Sequence, residues 1–126
     1  MFSNIFIFCE VFDKLFWMRY NIANELERRM DMYTIYVKFE CHEGKREAFV
    51  AKVREEGILS AIRAEDGCHR YDYYFSEENP NELLLLEAWE SKAHQEVHMT
   101  QPHMAKLRAL NAEHIVSVSL GEYECK

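Results

Sequence analysis

Leu83-Leu84-Leu85-Leu86-Glu87-Ala88-Trp89-Glu90-Ser91 is followed by His94, His98 and Pro102-His103. Four consecutive leucines read as a strand that is apolar on both faces and therefore buried on both sides. Ser91 suits the N-cap of a short helix carrying His94 and His98, and Pro102 suits the first turn of another. An aromatic ring and several titratable rings are thereby delivered to one end of a sheet.

Working outward, Tyr33 to Phe39 alternates as a strand, with Ile35, Val37 and Phe39 on one face and a turn at 41–43. Positions 45–64 carry a helical pattern, with Phe49, Val50, Val53, Gly57 and Ala61 along one face. Gly57 weakens that helix by about 1 kcal/mol relative to Ala, which predicts a kink or close packing. Glu65-Asp66-Gly67 ends it. A second strand, 69–75, sets His69, Tyr71, Tyr73 and Phe75 against Arg70, Asp72 and Tyr74. Asn79-Pro80-Asn81 marks a hairpin connection to the leucine strand. A last strand, 114–120, alternates Val116, Val118 and Leu120 with Ser117 and Ser119.

The order β-α-β-β-α-β predicts an α+β fold, the ferredoxin-like arrangement with an antiparallel sheet. Helices cover one face of such a sheet. The leucine run demands cover on the other, so a homodimer joined through the sheets about a two-fold axis is expected.

At 126 residues the chain suits one domain. A net charge of -7 with no Lys/Arg stripe argues against nucleic-acid partners. Cys9, Cys41, Cys68 and Cys125 form no Cys-x-x-Cys pair and no disulfide framework, the usage of reduced thiols in a cytoplasmic protein. Cys68 beside His69 reads as a small strand residue, with a reactive thiol as the sharper alternative.

Residues 1–31 stand apart from 32–126 as an N-terminal extension, helical or disordered. The aromatic run is too short for a membrane span, and its first basic residue, Lys14, follows the apolar stretch instead of preceding it as in a secretory signal. Phe8, Val11, Phe12, Leu15 and Phe16 follow the 3–4 spacing of an amphipathic helix. Glu27-Arg28-Arg29-Met30 can also be encoded by a purine-rich stretch like a bacterial ribosome-binding site. A native start at Met30 or Met32, with the extension not native, is therefore the companion expectation.

The span from Met32 to Glu124 resembles the antibiotic biosynthesis monooxygenase (ABM) domain, of the dimeric α/β-barrel superfamily. The matching pieces are the opening strand with its Gly44 turn, Glu65-Asp66-Gly67-Cys68 leading into Tyr71, and Leu86-Glu87-Ala88-Trp89-Glu90-Ser91-Lys92-Ala93 with His98 and Thr100-Gln101-Pro102-His103-Met104. The resemblance implies a cofactor-independent monooxygenase that oxidises quinol-like or phenolic small molecules with dioxygen. Relatives also include an isomerase of a phosphorylated carbonyl signal compound, phospho-autoinducer-2, and haem degraders. The haem degraders place an Asn where this chain has Tyr36-Val37-Lys38, and a haem-ligating His where it reads Ala105 to Leu110, so haem is not expected. A non-enzymatic ligand-binding dimer is the third reading.

Cofactor-free oxygenation needs a base to strip the quinol's proton. An imidazole with a pKa of about 6.5 can take it, which nominates His98, with His69 as the alternative. Trp89 and Tyr71 would hold an aromatic substrate, with His103 and Arg70 completing the substrate set. An isomerase would need a cationic anchor, for which Arg70, Lys38 and Arg108 are the candidates. His94, His98 and His103 invite a metal reading. Gln95 stands where a metalloprotease has its Glu, and no nearby Asp or Cys completes a set, with Glu90 the one candidate, so no metal is expected; the resemblance implies no other cofactor. Glu87, between apolar neighbours, would need Arg70 or a His as partner if buried, and without one its pKa would rise.

Overall fold

The computed structural model describes residues 2–124, with side chains for 13–27 and 31–124. Cys125, and the side chains of Cys9 and of the apolar residues at 5–12, lie outside the described residues. The chain divides between Asp31 and Met32 into two compact units.

The first unit is one helix, α1 (Phe2–Met30), with Phe16, Trp17, Tyr20 and Leu26 exposed. Among the described residues no helix is long and apolar enough to cross a membrane.

The second unit runs β1 (Tyr33–Cys41), α2 (Arg46–Glu55), α3 (Ile58–Arg63), β2 (Cys68–Phe75), β3 (Glu82–Trp89), α4 (Lys92–His98), α5 (Pro102–His114) and β4 (Ile115–Glu122). The strands form one antiparallel sheet in the order β2-β3-β1-β4. This is the expected α+β ferredoxin-like arrangement, with each helical crossover split in two.

The split has a local cause. Gly57 adopts φ +74°, a left-handed conformation that L side chains rarely take, and closes α2 before α3 begins. The kink expected at Gly57 is a full break, so the single helix expected from 45 to 64 is corrected to two. The break also re-phases the apolar face: Phe49, Val50 and Val53 of α2 are continued by Ile58, Leu59 and Ile62, not by Gly57 and Ala61.

Those six side chains, with Met104, Leu107 and Leu110 of α5, pack on one face of the sheet. That face presents Val37 and Phe39 from β1, Tyr71 from β2, and Leu83, Leu85 and Trp89 from β3. Each large apolar side chain sealed there contributes roughly 1.5–3 kcal/mol. Arg46, buried at the start of α2, donates from Nη1 to the carbonyls of Ser76, Asn79 and Glu82 at 3.1, 3.0 and 3.3 Å. It thereby satisfies the turning backbone of the β2–β3 connection.

Two strand readings change. A β-bulge between Cys68 and Arg70 leaves Cys68 opposite Trp89 and Arg70 opposite Ala88, so His69 is the inserted residue. Cys68, not His69, joins Tyr71 and Tyr73 on the core face. At the other edge, Val118 and Leu120 lie opposite Phe39 and Val37, yet they are 51% and 70% exposed. β4 is the edge strand, and the core helices close over β1, β2 and β3 instead.

The outer face of the sheet is also apolar at its centre. Leu84 and Leu86 are half-buried, flanked by exposed Tyr36 and Tyr74.

Candidate active site

At the C-terminal end of β3, three turns of chain converge. Ser91 caps α4 as expected, its hydroxyl accepting from the His94 backbone N–H at 3.3 Å. α4 is a two-turn helix whose last residue, His98, is its one buried side chain, 1% exposed. Pro102 then starts α5 and sets His103 in its first turn.

The imidazole of His98 is held on three sides. Its ring lies 4.6 Å from the Trp89 ring at an interplanar angle of 33°, and 5.7 Å from Tyr71 at 62°. Its Nδ1 is 2.7 Å from Oε2 of Glu65, in the loop between α3 and β2. The same oxygen lies 3.1 Å from Nε2 of His103. An oxygen with two nitrogens at these distances is best satisfied when both are N–H donors. On that assignment neutral His98 carries its proton on Nδ1, fixed by Glu65. Burial pushes its pKa down, with the Glu65 carboxylate opposing the shift, so the imidazole is neutral at pH 7.

A second carboxyl lies behind Trp89. Glu87 is 4% exposed, and its Oε2 accepts the Trp89 indole N–H at 2.8 Å. Burial raises its pKa to about 7, opposed by that one hydrogen bond. The expected partners, Arg70 or a His, are not there: Glu87 points to the core face, whereas Arg70 pairs opposite Ala88 on the other. Glu87, Trp89, His98 and Glu65 thus form a continuous polar and aromatic stack through the core.

Sequence-nominated residues part company here. His98, Trp89, Tyr71 and His103 come together. His69 does not: the bulge carries it outward, where its Nε2 sits 2.5 Å from Oε2 of Glu90. Arg70 is an exposed strand residue paired with Asp72 at 3.2 Å. The remaining anchor candidates are also committed elsewhere, Lys38 to Glu82 at 3.1 Å and Arg108 to the Met99 carbonyl at 2.6 Å. Cys68 is no nucleophile, since burial raises its thiol to about 11.

Glu65 is the residue that sequence reasoning passed over. Along the chain it marks a helix end and a piece of the family motif with no role of its own, and its partners lie 33 and 38 positions away. Glu65, His98 and His103 offer ligand atoms within 4.8 Å of one another. The two carboxylate contacts are nonetheless hydrogen-bond distances, shorter than the roughly 3.3 Å that separates ligands on a tetrahedral ion with bonds of about 2.0–2.1 Å. The set is arranged as a hydrogen-bonded network.

An opening reaches that network. A cleft of about 310 Å³ is lined by Glu65, Asp66, Ala93, His94, Val97 and Gln101. His94 forms part of its rim, with Nδ1 2.7 Å from the Ser91 hydroxyl and Nε2 3.5 Å from Asp66. Gly67 lies against it: at φ +79°, a Cβ there would stand 2.4 Å from the His94 ring. Glycine is required on both counts.

Known proteins share this arrangement of fold and sequence. A protein of Escherichia coli (strain K12) described as a probable quinol monooxygenase, YgiN, is 27% identical over an alignment of 81 positions that covers 58% of this chain and 78% of that protein. The solved structure of Rv0793 from Mycobacterium tuberculosis superposes with a TM-score of 0.64 at 27% identity, covering 75% of this chain and 93% of that one. A conserved protein from Methanosarcina mazei Go1 shares the fold with a TM-score of 0.69 at 22% identity, over 80% and 99% of the two chains. Residues 32–110 match the family model described as antibiotic biosynthesis monooxygenase, and the chain belongs to that family.

Proposed function

We propose that the protein is a monooxygenase of quinol-like or phenolic small molecules, and that Glu65 and His98 act as one proton-accepting pair. The observation that carries the reading is the Glu65–His98 contact at 2.7 Å, with Glu65 on the cleft and a neutral imidazole behind it. Coupled groups share a proton as a unit. Glu65 is its face to substrate and takes the proton, while the Nδ1–H of His98 donates to the same carboxylate and couples the charge of the ring to it. His103 steadies the carboxylate from the other side.

Deprotonation makes the quinol electron-rich enough to pass an electron to dioxygen. One oxygen atom replaces a ring hydrogen and the other leaves as water. The quinol supplies all four electrons and emerges as the hydroxyquinone, so no external reductant, metal or flavin is needed. Incubation of the protein with hydroquinones under ¹⁸O₂ is expected to consume one dioxygen per quinol and to place one label in the product. Release of hydrogen peroxide with unlabelled quinone would sink the reading. The isomerase alternative is disfavoured because the residues lining the cleft include two carboxylates and no Lys or Arg to hold a phosphate.

The working form in this reading is a homodimer. Leu84 and Leu86 with Tyr36 and Tyr74 make the outer sheet face a patch that a second copy would cover about a two-fold axis. Light scattering on a size-exclusion column is expected to return twice the 15.1 kDa chain mass at micromolar concentration. A monomer there would overturn it.

A further inference from the structure

We infer that the cleft between Glu65 and α4 is the docking site for a small, uncharged phenol or quinol, which donates its hydroxyl to the second oxygen of Glu65. The inference rests on the reading of Glu65 and His98 as the proton-accepting pair and names where the substrate lies.

Substrate has no room beside the imidazole itself. Trp89, His98 and Tyr71 are 0%, 1% and 2% exposed, packed against one another and the core. In this reading Trp89 and Tyr71 are walls for His98, and the substrate's walls lie in the cleft. Glu65 is the one member of the network that lines the cleft. Its Oε2 is taken by the two histidines, while Oε1 accepts no hydrogen bond from any described residue. A carboxylate oxygen left with unused acceptor capacity at an opening selects a donor.

The rest of the cleft sets the body of the ligand. Its 310 Å³ lies at the small end of ligand sites, room for one or two rings. Ala93 and Val97 offer apolar wall, and Gln101 an amide. Asp66, with its side chain 99% exposed, adds a second negative charge at the mouth. A carboxylated or phosphorylated ring meets like charge, and an uncharged one does not.

The test is anaerobic binding, so that no turnover intervenes. The full chain is titrated with hydroquinone, 1,4-dimethoxybenzene and 4-hydroxybenzoate and followed by ¹H–¹⁵N NMR. Hydroquinone is expected to shift the signals of residues 65–66, 93–97 and 101. The diether, which cannot donate, should bind about tenfold or more weakly, and the carboxylated ring more weakly than hydroquinone. Val97 is 57% exposed, so Val97→Trp can fill the cleft without touching the core, and it should abolish the shifts in a folded protein. Equal binding of diether and hydroquinone, or unchanged binding in Val97→Trp, would overturn the site. Binding without oxygen uptake would support the site and overturn only the proposed reaction.

Discussion

Glu87→Gln is expected to raise the unfolding free energy by about 3 kcal/mol at pH 8 and by less than about 1 kcal/mol at pH 5. The folded carboxyl has a pKa of about 7, raised above the ordinary 4.5 by burial. Between those values the folded state holds a proton that the unfolded chain has released. Stability therefore falls as pH rises through that window, and the loss is complete once the folded carboxyl ionises. Gln keeps an oxygen to accept the Trp89 N–H and cannot ionise, so it escapes the loss. His98 works in the opposite sense: its depressed pKa makes the folded state reject protons, so stability falls as pH drops below the ordinary 6.5. Comparing the two proteins at each pH cancels that contribution. Urea unfolding with matched slopes at pH 5 and pH 8 measures the difference. The same difference at both pH values would mean that ionisation of Glu87 is not its cause.

His98→Gln is expected to lower turnover of a reactive quinol by about 10²–10⁴-fold, the usual worth of a positioned proton-handling group. Gln can still donate to Glu65, so the carboxylate keeps its partner, while the imidazole that gains and loses a charge beside it is removed. The diagnostic is the pH profile. Wild-type activity should rise with pH as the imidazole loses its proton, with a midpoint below the ordinary 6.5 because burial disfavours the cation. The variant should lose that acidic limb. Unchanged thermal unfolding, with the limb gone, separates a proton-handling role from a packing one. An identical limb in both proteins would clear His98 of the role.

Much of this site was legible along the chain. Ser91 before a helix and Pro102 opening another are local signals, and they set His98 and His103 in adjacent turns. Trp89 at the end of a leucine strand announced a buried aromatic, and Glu87 between apolar neighbours announced a carboxyl with a raised pKa. The partner of Glu87 was misjudged because two residues along a strand share a face: Trp89 was nearer than any cation. His69 was misjudged because a single inserted residue swaps the faces of a strand, and no pattern in Cys68-His69-Arg70-Tyr71 marks the bulge.

What the sequence by itself determined was the order of elements, the ferredoxin-like arrangement they imply, and the delivery of imidazoles to one end of the sheet. Those follow from periods of two and of 3.6 and from capping residues, all set by near neighbours. Only the tertiary structure decided which groups meet. The Glu65 carboxylate reaches His98 and His103 because the turn at Gly67 and the packing of α4 on β3 bring distant segments within 2.7 and 3.1 Å. Those contacts join residues more than thirty positions apart, so no local pattern carries them, and they alone turn the two histidines into a network that opens on a cleft.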